Sequence, residues 1–308
     1  MEKLEDILTR FGNKIANSGD QGKAGQGARP RLLPDRYPVR DFFIADLLDW
    51  ALKDDRASME HPFFSLSKTP DKTTQRYERN GVTVIITASA EYGRATIWDK
   101  DILIYAVSQL VEAINQGRPV SRVVHIKAYD LLVATNRHTG GENYKRLVAA
   151  LNRLAGTRVQ TNIITNGKRR REGFGLLDNW RVIEKSQRGD WIATVELTLN
   201  EWLFDAVVAK EVLTLNRDYF RLDGGLERRL YELARKHCGH QSQWKIGMEL
   251  LHTKSGSTAP LKEFRRKVKG LVDGDDLLDY RLQYDADTDQ VLFYTTDAKK
   301  LAQSLTNT

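Results

Sequence analysis

A single cysteine, Cys238, occurs in 308 residues. It excludes an intrachain disulfide and a thiolate-rich metal site, and a reducing cytoplasm is the natural compartment. No apolar run approaches the ~20 residues of a membrane-spanning helix. The opening MEKLEDILTRFGNKIA mixes acids with bases, where a secretion signal needs an unbroken apolar stretch. A cytoplasmic protein with no membrane partner is expected. The pattern G-x-x-x-x-G-K-[S/T] is missing, so nucleotide hydrolysis lacks its phosphate cradle. No His-x-His pair is present to hold the metal of a rolling-circle nickase. His237, Cys238 and His240 crowd together in HCGH but have no second ligand pair, and DADTD lacks the glycine and distal glutamate of a calcium loop. Gly173 and Gly175 in GFGLL follow a cationic turn rather than open a helix. These absences leave no metal, cofactor or catalytic residue to assign.

What is present is positive charge. The formal net charge is +7 and the pI near 9.3, which suits a polyanionic partner. The length allows two cores and a tail. Leu4, Ile7, Leu8, Phe11 and Ile15 have helical spacing, so residues 2–17 read as a short amphipathic helix, docked either on its own domain or on another protein. The Gly-rich stretch NSGDQGKAGQGARPRLLP that follows has almost nothing to bury and reads as a flexible linker. The expected division is 1–34 for this helix and linker, 35–210 for a first domain and 211–308 for a second.

Within the body, HPFFSLSK and GVTVIITAS read as strands, and WDKDILIYAVSQLVEAINQG as a helix ended by Gly117 and Pro119. From there one order of elements occurs twice. After a helix, VVHIKAYDLLVATN and QWKIGMELLHTKSG each read as a short strand and a helix, with Tyr129-Asp130-Leu131-Leu132 answering Met248-Glu249-Leu250-Leu251. NYKRLVAALNRLAG and LKEFRRKVKGLV follow, with Leu147, Leu151 and Leu154 answering Phe264, Val268 and Leu271. Each copy closes with a hairpin, one turning at Asn166-Gly167 and the other within 285–289. The fold class implied is α+β, two tandem winged helices.

A winged helix presents its third helix to the major groove. In the first copy the candidates are Thr139 as a cap, Asn143 for adenine, Arg146 for guanine, and Lys145, Asn152 and Arg153 along the helix; Gly140 and Gly141 would let phosphates approach the backbone. The first wing would carry Lys168, Arg169, Arg170 and Arg171. In the second copy Ser257 or Thr258 would cap, Pro260 suits a first turn, and Lys262, Arg265, Arg266 and Lys269 would project outward, with Arg265 and Arg266 as guanine readers. Lys254, Ser255 and Ser257 would meet phosphates. Asp273, Asp275, Asp276, Asp279, Asp285, Asp287 and Asp289 run against nucleic-acid contact near the second wing.

The strings HPFFSLSK, RYERNGVTVIIT, GRATIWDKDILIYAVSQL, LTLNRDYFRL and GLERRLYELARKHCG resemble the replication initiator protein A family of bacterial plasmids, often called RepA, from about Arg36 to Tyr294. The resemblance implies an origin-binding initiator with two winged-helix domains that recognises directly repeated double-stranded sites, the iterons, and is not an enzyme. It further implies opening of AT-rich DNA, recruitment of the host initiator DnaA and the replicative helicase, and self-repression as a homodimer. FFSLSK and VTVIIT are one option for the dimer surface. Read from the residues alone, a winged-helix transcription regulator, a nicking enzyme acting through Tyr144 and a basic scaffold remain open.

Overall fold

The computed structural model describes residues 32–38, 51–165, 168–169, 171–187, 190–239, 241–274 and 277–298. The expected helix 2–17 and most of its linker lie outside them. Strand β1 (Lys53–Asp55) leads into a short helix, α1 (Arg56–Glu60), whose N-cap Asp55 accepts from the Ser58 amide at 2.7 Å. β2 (Gln75–Arg79) and β3 (Val82–Thr87) form a hairpin. Its turn, Asn80-Gly81, has φ of +49° and +73°, the pair of left-handed residues that a two-residue hairpin favours.

The first copy consists of α2 (Lys100–Asn115), β4 (Val123–Lys127), α3 (Ala128–Ala134) and α4 (Gly141–Gly156). β5 (Arg158–Thr161), β6 (Ile164–Thr165), β7 (Lys168–Arg169) and β8 (Glu172–Gly175) intervene before β9 (Asn179–Gln187) and β10 (Asp190–Thr198). α5 (Glu201–Val208), β11 (Val212–Thr214) and a 3-10 turn (Arg217–Arg221) connect to the second copy. That copy runs α6 (Gly225–His237), β12 (Gln243–Gly247), α7 (Met248–Ser255), α8 (Leu261–Gly274), β13 (Tyr280–Asp285) and β14 (Gln290–Thr295). The sheets correspond strand for strand: β4-β10-β9 in one copy and β12-β14-β13 in the other, all antiparallel. Burial aligns Ala128 with Met248 and Leu131 with Leu251, one residue off the pairing read from sequence.

The hairpin expected to close the first copy at Asn166-Gly167 is corrected. β6 and β7 do pair there, but β5 and β8 extend the β2-β3 sheet in the order β2-β3-β5-β8, and the hairpin closing the three-stranded sheet is β9–β10. The turn within 285–289 joins β13 to β14 as expected. HPFFSLSK is not a strand: Phe63 and Phe64 are buried, and Ser65 makes one isolated bridge to Thr96. β3 lies between β2 and β5 with Val84 and Ile86 buried. Neither segment therefore offers a free edge for a second copy of the chain.

Two apolar clusters meet at α2. Ile102, Leu103 and Tyr105 belong to the first, whereas Ile104 joins Leu52, Met59, Leu230 and Phe264 in the second. A helix shared by two cores is covered on all sides, which is why Lys100 through Ser108 are buried without a break. The charges trapped at this seam are paired. Lys100 Nζ lies 2.6 Å from Asp54 and 2.9 Å from Glu232 of α6; Arg228 Nη1 reaches Asp101 at 2.6 Å. Tyr219 donates to Glu232 at 2.7 Å, and Arg229 donates to the carbonyls of Ser58, Met59, Glu60 and Lys254. Burial raises the Asp54 and Asp101 carboxyls, while for Glu232 the neighbouring Lys100 and Arg229 outweigh burial and hold it low. Segment 32–38 straps the seam from outside: Leu33 exchanges bonds with Arg221 in the second half, and Arg36 donates to Asn136 in the first.

Candidate nucleic-acid interface

α4 buries Leu147, Ala150, Leu151 and Leu154 and leaves Glu142, Lys145 and Arg146 exposed near its N-terminus. The Arg146 side chain is 71% exposed, its Nε 3.5 Å from Glu142. Thr139 does not cap: Gly140 is the N-cap and makes no side-chain bond. A Cβ placed on Gly140 or Gly141 meets nothing within 4 Å, so this end of the helix presents bare backbone. Asn143 and Asn152 are half-buried. Arg153 is corrected from DNA contact to clamp, because its Nε and Nη2 each donate to Asp99 at 2.7 Å and pin α4 to the start of α2. Lys168 and Arg169 form β7, Arg170 lies outside the described residues, and Arg171 is exposed. This hairpin is not the one that borders α4's own sheet, so its cations are not on a wing.

In the second copy α8 buries Phe264 and Val268 and exposes Lys262, Arg266, Lys267, Lys269 and Gly270. Arg266 is 73% exposed and forks onto Glu263 at 2.7 and 2.9 Å. Arg265 is turned sideways: it holds Asp289 at 2.8 and 3.1 Å, Tyr284 donates to the same carboxylate at 2.7 Å, and Lys269 Nζ sits 4.4 Å from the Tyr284 ring centre. The hydrogen bond from Arg265 keeps the Asp289 carboxyl below its usual range. α8 is thereby fixed to the turn of its own hairpin. Other acids near this wing also have local duties, Asp285 accepting from Asp287 and Thr288 and Asp279 accepting from Asn216 and Tyr231. Asp275 and Asp276 lie outside the described residues.

Lys254 and Ser255 are withdrawn as phosphate contacts. Lys254 is buried against Glu60, and Ser255, also buried, donates to the His252 carbonyl at 2.7 Å. Ser257 Oγ accepts from Ala259 at 3.3 Å in the turn before α8, and Thr258 is exposed. His237 is stacked on Trp244 with ring centres 4.1 Å apart and lies 2.8 Å from Glu60. Among the described residues no three His, Cys, Asp or Glu side chains gather to hold a metal. Sequence reasoning missed Arg36 and Lys68 and passed over Lys267, which folding brings to two clefts beside α4 and α8. Arg36 and Lys68 carry no local signal, since their neighbours come from distant segments; Lys267 was visible as a non-stripe position of α8.

Each copy thus backs a solvent-facing, cation-bearing helix with an apolar stripe and a three-stranded sheet. In fold the chain is similar to domains 2 and 3 of RctB. A crystal structure of selenomethionine derivatives of those domains superposes with a TM-score of 0.52 at 14% identity, covering 76% of this chain and 95% of that one. A second crystal structure of the same domains gives 0.52 at 12% identity, with 78% and 98% covered. The sequence profile of the Replication initiator protein A family matches residues 53–282. A curated protein of Wigglesworthia glossinidia brevipalpis named "Putative replication protein" is 38% identical over 265 residues, 85% of this chain and 96% of its own length. The chain belongs to the replication initiator protein A family, and its role is in the initiation of replication.

Proposed function

We propose that the chain is a sequence-specific plasmid initiator built from two winged-helix modules, residues 35–210 and 211–308, which read repeated double-stranded sites at the origin with α4 and α8. The observation that carries this reading is the recurrence of helix, strand, helix, cationic helix and hairpin around sheets of the same strand order. Arg146 and Arg266 are the guanine readers, and Lys145, Lys262 and Lys269 the phosphate contacts. Arg265 serves as a wing anchor that positions α8. Binding opens adjacent DNA and recruits host replication proteins, DnaA and the helicase among them; a homodimer represses the promoter. No covalent chemistry is involved. Tyr144 packs against the first core, and burial raises its hydroxyl, the opposite of what a nucleophile needs.

Footprinting on the DNA flanking the gene tests the proposal. Repeated protected tracts of about two helical turns, in phase, are expected, together with affinity that falls steeply with salt as counterions are released. Equal protection of random duplex would contradict it.

A further inference from the structure

Two clefts flank one wall. The first, of about 490 Å³, is lined on one side by Asn143, Arg146 and Ala149 of α4. The second, of about 600 Å³, is lined on one side by Lys267 and Leu271 of α8. Between them stand residues 65–68 from the first half and 222–227 from the second: Lys68 and Asp223 face the first cleft, Ser67 and Gly224 the second. The wall is tightly built. A Cβ on Gly225 would come within 2.5 Å of the Leu66 carbonyl oxygen, and Trp98 Nε1 donates to the Asp223 carbonyl at 3.2 Å. Its crest holds Lys68, whose Nζ lies 2.8 Å from Asp223 and 5.1 Å from the Trp98 ring centre. These two side chains are 62% and 57% exposed. A pair so open to water is only weakly held, so another anion can take the place of Asp223 at little cost.

The geometry points to this wall as a third contact with duplex DNA, Lys68 binding a backbone phosphate of the stretch that passes between the two reading helices. The inference rests on the reading above, in which α4 and α8 meet one duplex. Arg146, Lys68 and Lys267 then form a row of exposed cations, one on each reading helix and one on the wall between. A lysine ammonium is a point charge without the planar fork that matches a base edge, so the contact is blind to sequence and fixes the path of the backbone.

Wild-type protein, Lys68→Ala, Lys68→Arg and Arg266→Ala are titrated with origin-repeat and random duplexes at several salt concentrations. Lys68→Ala is expected to weaken binding to both duplexes by the same factor and to lower the slope of log affinity against log salt by about one. Lys68→Arg should restore the slope, and Arg266→Ala should lose preference for the repeat. Equal thermal midpoints of Lys68→Ala and wild type check that the fold is intact. An unchanged slope in Lys68→Ala, with preference lost in Arg266→Ala, overturns the wall contact and leaves the reading of the helices standing. If the wild type shows no preference for the repeat and Arg266→Ala matches it, the reading falls and the wall contact with it.

Discussion

Gly270 sits in the interior of α8 on its exposed face, where a Cβ would meet nothing within 4 Å. A glycine in mid-helix costs about 1 kcal/mol relative to alanine, and nothing in the fold requires one here. Its neighbours along the same exposed face are Arg266 and Lys267, four and three residues back, so the missing side chain leaves a flat place beside the groups assigned to DNA. Gly270→Ala is therefore expected to raise stability by roughly 0.5–1 kcal/mol in urea unfolding while weakening binding to origin repeats. Stability and affinity moving up together would mean that nothing approaches the helix at this point. The two arginines of the same helix separate in the same way. Arg266→Ala should cost about 1–3 kcal/mol of discrimination at one base position, measured by titrating single-base variants of the repeat. Arg265 spends its fork on Asp289, so Arg265→Ala should weaken binding to all sequences alike as α8 loses its tether to the hairpin turn.

At the scale of elements, the seam around α2 makes the sharpest stability prediction. Lys100→Met would leave Asp54 and Glu232 buried together without their shared cation, a loss of about 3–5 kcal/mol visible as an early denaturation midpoint. The end of α1 adds a pH dependence. Burial pushes His61 down to about 4, against the pull of Glu60, while an unfolded histidine titrates near 6.5. The unfolded chain therefore binds a proton that the folded one refuses, and stability falls as pH drops from about 6.5 to 4, by on the order of 3 kcal/mol from this group. Burial pushes the Glu60 carboxyl up, but bonds from His237 and Lys254 outweigh it and hold it low; its contribution is lost at still lower pH. His61→Gln should flatten the profile between pH 6.5 and 4. These elements also mark what was legible beforehand. The apolar spacing of α2, α4 and α8 is local and survives in sequence, and so does the repeated order around it. The sheet of β2, β3, β5 and β8 is assembled across distant segments, so Lys168 and Arg169, which lie in β7, passed for part of a wing. Arg228, Arg229 and Glu232 look like a solvated helix face because their partners Asp101, Lys100 and the α1 carbonyls lie more than 100 residues away. Lys254 misled for the same reason: its partner is Glu60.

For the whole molecule, the seam decides how two reading helices share a duplex. Once one module is bound the second event is intramolecular, and its gain of about 10²–10⁴ depends on whether the two can engage together. A flexible tether would tolerate changed spacing between half-sites. Here α2 is common to both cores, Lys100, Asp101, Arg228 and Glu232 cross-link the halves, and residues 32–38 bind both. Breaking that seam would expose unpaired buried charge, so the halves hold one relative orientation. Inserting about 5 base pairs between half-sites turns the second onto the opposite side of the helix, and inserting about 10 restores the face but moves it some 34 Å away. A rigid pair of modules should fail on both insertions and fall to the affinity of a single half-site. Gel-shift titrations of the native repeat and the two insertions check this: recovery with the longer insertion alone would show that the modules can separate, and that the seam does not set their spacing.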